Sequence, residues 1–133
     1  MENKAEYQIS SSVNDGILEI ILNGEFRRGS LEQIKNEIVA IEKSVNIKSE
    51  LIDVRKVKGH PSVIEIYSFT RSFPSDRPRM DTAIVDIAVN ADLKTFLEIT
   101  AANTGNSFKC FTDIDAARNW LKSKISRVNT DNL

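Results

Sequence analysis

A chain of 133 residues, 41% apolar and 28% charged, is long enough for one domain to bury a core without disulfides or a structural metal, and its composition is that of a globular protein rather than a disordered one. A net charge of −1 provides no global pull toward nucleic acid or an anionic membrane, so either would need a local patch. The lone Cys110 excludes an internal disulfide, the polar start Met1 to Glu6 lacks a signal-peptide core, and no run approaches the ~20 apolar residues of a membrane span; the expectation is a cytoplasmic protein.

Tyr7 to Val13 and Ile17 to Leu22 read as two strands joined through Asn14-Asp15-Gly16, because an Asx-Gly pair tolerates the positive φ of a tight hairpin. The second run is almost continuously apolar, as a strand inside a sheet should be. The first, with Ser10, Ser11 and Ser12, reads as an edge. Ser30 and Gln33 form a capping-box pattern ahead of a helix whose stripe is Leu31, Ile34, Ile38, Ile41 and Val45. Glu50 to Val57, around Leu51-Ile52-Asp53-Val54, reads as the next strand. Pro61 then suits the first turn of a helix, whose shared face is Val63, Ile66, Tyr67, Thr70 and Phe73, and Pro74 and Pro78 close it.

The last third alternates more regularly. Ala83 to Val89 is an apolar run. Ala91 to Thr104 is a helical pattern packing through Leu93, Phe96, Leu97, Thr100 and Ala101, with Gly105 to stop it. Phe108 to Phe111 is a short strand. Thr112 is placed as cap of a final helix with Asp115 in its first turn, a buried face of Ile114, Ala117, Leu121 and Ile125, and Trp120 at the margin. Strands alternating with helices of this length predict parallel pairing. The expected fold is one α/β domain over residues 7–122. Its mixed sheet has about five strands, an N-terminal hairpin plus parallel strands, and about four helices cover it; residues 1–6 and 127–133 are expected as flexible termini. Val54, Ile84 and Val85 should lie in neighbouring interior strands with Ile34, Ile38, Leu97 and Leu121 packed onto them.

Few residues suggest chemistry. His60 is the only histidine, so a metal site or a Ser-His-Asp triad would depend on it alone; between Gly59 and Pro61, helix capping is the simpler role. Cys110, flanked by Lys109 and Phe111, reads as a buried inert thiol. Asp53 and Asp86 interrupt apolar strands, either as buried carboxylates or on a solvated face. Their places near strand C-terminal ends keep a site role open. Arg55, Lys56 and Lys58 follow one strand, and Arg71, Arg77 and Arg79 surround the Pro-bounded loop. Of these, Arg55, Lys58, Arg71, Arg77 and Arg79, together with His60, are the candidate anion or partner-binding residues, against a solvated surface neutralised by Asp76, Asp81 and Glu65. Glycine-rich phosphate motifs and cysteine pairs are missing, and the nine aromatics fall mostly at packing positions, which gives no base-stacking surface.

A hairpin followed by strand-helix repeats, with Asp53 near the end of a middle strand, resembles the STAS domain of sulfate transporters and anti-sigma-factor antagonists. The likeness is closest to the SpoIIAA-like, or STAS/SEC14-like, set of small bacterial proteins. It rests on the lead-in Arg79-Met80-Asp81-Thr82-Ala83-Ile84-Val85 and on Phe111, Asp113, Ala117, Trp120 and Leu121 in a Phe-x-Asp-x-x-x-Ala-x-x-Trp-Leu pattern. The antagonist branch carries a phosphorylatable Asp-Ser-Ser-Gly switch at a helix start. Pro61, Ser62, Val63 and Ile64 occupy those four positions here, and only Ser62 matches, making it the candidate switch residue; a phosphate there would sit favourably at a helix N-terminus. The resemblance implies a non-enzymatic regulatory or protein-interaction module with a protein partner, no cofactor and no metal, and homodimerisation stays open. The alternative is a binder of a small anionic or lipid-like ligand, held in an apolar pocket under Tyr67, Phe69, Phe73 and Phe96 with basic residues at its mouth.

Overall fold

The computed structural model describes residues 7–25, 30–59, 79–87 and 107–131, with side chains as far as Ile125 in the last segment. The elements are β1 (Tyr7–Asn14), β2 (Ile17–Glu25), α1 (Ser30–Ser44), β3 (Ser49–Lys58), β4 (Asp81–Val85), β5 (Ser107–Phe111) and α2 (Ile114–Asp131). The strands form one sheet in the order β1-β2-β3-β4-β5. β1 and β2 are antiparallel, and every later pairing is parallel. This is the mixed five-stranded α/β sheet the sequence predicts. Two helices, not four, lie among the described residues; the helices expected over 61–73 and 91–104, Leu97 with them, fall outside those residues.

The hairpin closes through Asp15 and Gly16, both at positive φ (54° and 80°), as a two-residue primed turn requires. Its register runs without interruption from Asn14↔Ile17 to Tyr7↔Gly24. The two-residue period then sorts β2 between the faces of the sheet. Leu18, Ile20 and Leu22 pack with Ile34 and Ile38 of α1, together with Tyr7 and Ile52, and Val54 and Ile84 lie against this cluster. Ile17 on the opposite face joins Leu51, Ala83 and Val85 under Ala117 and Leu121 of α2. Each helix therefore covers its own layer, and β3 and β4 supply side chains to both.

α2 begins one residue later than a Thr112 cap would place it. Asp113 is the cap: its Oδ1 accepts the Asp115 N–H at 3.1 Å, and its carbonyl accepts the Ala117 N–H at 3.1 Å. An aspartate in that place satisfies a free first-turn donor and offers negative charge to the helix dipole. At the far end, helical backbone continues to Asp131; no Gly or Pro interrupts the ladder there. Phe111 and Trp120 meet at the margin of the second layer, ring centroids 5.8 Å apart and tilted by 50°. Both are half-buried, as the position of Trp120 beside the main stripe predicts.

Candidate functional site

The C-terminal ends of β3, β4 and β5 and the first turn of α2 bring together the charged residues on the α2 face. β3 carries one extra residue there: its register to β2 shifts between Ile21↔Asp53 and Asn23↔Lys56. Such a bulge releases a backbone N–H from the ladder and re-aims the neighbouring side chains. The released donor is that of Arg55, and Asp53 Oδ1 accepts it at 3.0 Å. The same oxygen accepts the Arg55 Nε–H at 3.0 Å, and Oδ2 accepts from Nη2 at 2.8 Å. Asp53 is buried at 5% exposure. Burial pushes its carboxyl up, but the Arg55 side-chain bonds, the Arg55 N–H and the charges of Arg55 and Lys56 outweigh it, so the pKa falls below its usual value.

A second charge pair lies further back on the same face. Glu19 is the one acidic residue in the apolar core of β2, and its carboxylate accepts two bonds from Arg118 of α2, at 3.0 Å from Nε and 2.9 Å from Nη2. The sequence offers one signal for it: a carboxylate set among buried apolar neighbours needs a charged partner. Which of the cations supplies it depends on a contact between residues 99 apart. Asp113 and Asp115 add negative charge beside Arg55 and Arg118 respectively. On the α1 face, Thr82 donates to the fully buried Glu50 at 3.0 Å.

The candidate residues are distributed as follows. Asp53 and Arg55 are joined to each other. Lys56 and Lys58 are exposed on the part of β3 that runs past β4, opposite Asn23 and Glu25 of β2. Arg79 precedes β4, whose first residue Asp81 pairs with Ser49. It therefore lies at the opposite end of the sheet from Lys58, roughly 30 Å away along the strand at ~3.3 Å per residue. The strands run parallel, so Arg79 does not meet Arg55 and Lys58 on the one cavity mouth that the ligand-binding alternative requires. His60, Ser62, Arg71 and Arg77 lie outside the described residues. Asp86 is half-buried and its Oδ1 accepts the Ile87 N–H at 2.7 Å. Ile87 beside it is 71% exposed, a residue the sequence reading assigned to an apolar strand. Cys110 is half-buried on β5. Among the described residues no group of three or more His, Cys, Asp or Glu side chains is placed to hold a metal ion, and no helix is long and apolar enough to cross a membrane.

No protein-family model and no curated protein matches the chain. Solved structures do. A crystal structure of an anti-sigma factor antagonist from Mycobacterium paratuberculosis aligns over 92% of this chain and 99% of its own, with a TM-score of 0.52 and 15% identity. An uncharacterised DUF3478 protein with a SpoIIAA-like fold from Shewanella loihica aligns over 91% and 98%, with a TM-score of 0.55 and 17% identity. The chain has the SpoIIAA-like fold. In this SpoIIAA-like sheet the charged site sits at the C-terminal strand ends, where β3 overhangs β4 and α2 starts.

Proposed function

We propose that the protein is a non-enzymatic regulatory or protein-interaction module whose partner docks at the C-terminal end of the parallel strands. The observation that carries this reading is how the charged groups there are used. Asp53 is bound by Arg55, Glu19 by Arg118, and Asp113 by the first turn of α2. These carboxylates hold a bulge, a helix and a cap in place, and a general acid or base would need its carboxylate free to exchange a proton with a substrate. The strand order supports the same reading. Open α/β sheets hold small ligands in the crevice where strand order reverses, and the order of these strands increases monotonically. Among the described residues this end presents exposed Lys56, Lys58 and Ile87. The anti-sigma factor antagonist among the structural neighbours points to the same class by analogy of fold. Ser62 keeps the candidate switch role as part of this proposal, since a phosphate there would add negative charge close in sequence to Lys58.

The test is affinity capture from cells with the wild-type protein and with a Lys56→Glu, Lys58→Glu, Ile87→Ser variant. The expected result is a partner that binds the purified wild type stoichiometrically and is lost with the variant, while the melting temperature stays near wild type. Capture indifferent to the three changes would overturn the location. A native mass spectrum showing a retained small ligand, or stabilisation by added phosphate through mass action, would overturn the class.

A further inference from the structure

β1 is an edge strand, paired with β2 on one side only among the described strands. The two-residue turn makes Asn14↔Ile17 a pair that exchanges its backbone bonds. Alternation along an antiparallel ladder then directs the N–H and C=O groups of Ser12, Ser10 and Gln8 toward β2 as well. Those of Tyr7, Ile9, Ser11 and Val13 point the other way, to the side where no described strand lies. Exposed edges are ordinarily protected by a charge, a proline or a bulge. The sequence of β1, YQISSSVN, has no charge and no proline, and its register to β2 has no bulge.

We infer that two copies join antiparallel through β1, about a two-fold axis at Ser11, to make one continuous ten-stranded sheet from two five-stranded ones. The occupant is a second copy because the edge is self-complementary. It is neutral, so antiparallel self-pairing sets no like charges opposite each other. With Ser11 opposite Ser11, the outward-facing groups of Ile9, Ser11 and Val13 all find partners. The register also sets Val13, an apolar side chain left 47% exposed, against the half-buried Ile9 of the second copy on the same sheet face. A contact of one strand per subunit buries less than a standard interface, so the dimer is weak and depends on concentration. This surface is at the far edge of the sheet from β4 and β5, so it is independent of the partner-docking end proposed above.

Sedimentation velocity on the full chain, over a series reaching ~1 mM, the weak end of specific affinity, tests it. Wild type is expected to move from monomer to dimer along the series. Ser11→Pro removes one outward donor and leaves the β2 ladder intact; it should remain monomeric with an unchanged far-ultraviolet circular dichroism spectrum. Ser11→Asp and Ser11→Lys should each weaken the dimer by up to about fivefold, and their equimolar mixture should recover it, because the two-fold axis places residue 11 opposite itself. A wild type that stays monomeric throughout overturns the proposal, as does a folded Ser11→Pro variant that dimerises like wild type. Should Ser11→Pro fail to fold, the charge pair decides: a mixture no tighter than Ser11→Asp alone overturns the inference.

Discussion

One oxygen of Asp53 accepts both the backbone N–H and the side-chain Nε–H of Arg55, each at 3.0 Å. The carboxylate therefore fixes the bulge and the guanidinium together. It follows that Arg55 is not an idle surface cation: Arg55→Ala leaves a buried carboxylate without its charged partner and should cost about 1–3 kcal/mol, read by urea unfolding. Lys58→Ala, on an exposed side chain, should stay within about 0.5 kcal/mol of wild type.

The same pair sets an acid limit. The Asp53 carboxyl is held below 3.8 in the folded state, so its contribution is fully present above the unfolded pKa and lost as pH falls through the lower folded value. The melting temperature of wild type should drop below pH ~4 more steeply than that of Asp53→Asn, whose side chain does not ionise. Parallel acid titrations of the two proteins would expose a wrong assignment as identical slopes.

Glu19 and Arg118 should behave as a coupled pair. Arg118→Leu alone strands a buried carboxylate and is expected to cost more than Arg118→Leu combined with Glu19→Leu, because an apolar replacement of both partners removes the stranded charge. A double-mutant cycle measures the difference. Additive losses would mean that the two side chains do not depend on each other.

Tyr7 sets an alkaline limit. Burial first, then the hydrogen bond it donates to Glu37 at 2.8 Å and the Glu37 charge, push its hydroxyl from 10.0 up to about 12. A raised folded pKa means stability that is present below pH 10 and lost as pH climbs to about 12. Wild type should lose more stability over that interval than Tyr7→Phe, measured by denaturant titration at each pH.

Trp120 packs against Phe111 and lies 5.2 Å beneath the Lys124 ammonium. Because the ring is only half-buried, Trp120→Ala should cost less than the ~3 kcal/mol at the lower end for a fully buried ring. Thermal melts will register the loss as a lowered midpoint.

The sheet was legible in the sequence because its signals are local. Asn14-Asp15-Gly16 sets the hairpin, the unbroken apolar run from Ile17 marks an interior strand, and the stripe through Ile34 and Ile38 marks the helix over one face. The cap was misplaced by one residue because Thr112 and Asp113 are both good capping types, and only the backbone geometry chooses between them. The site was less legible. That Arg55 turns back onto Asp53 depends on a bulge, a matter of register between strands. The pairing of Glu19 with Arg118 depends on where the last helix docks. That Arg79 and Lys58 lie at opposite ends of the sheet was not legible, because sequence proximity to strands does not say which end of a parallel sheet each residue occupies.

The second apolar layer carries a consequence for how the protein is made. Ile17, Leu51, Ala83 and Val85 leave the ribosome before Ala117 and Leu121, which pack over them. Until then those side chains lack the partners α2 supplies, and chains fold from the N-terminus as they are synthesised. A chain broken off before Asp113 would keep the hairpin and leave Ile17, Leu51, Ala83 and Val85 without Ala117 and Leu121 against them. The cover of this face therefore depends on a helix made well after the strands it closes.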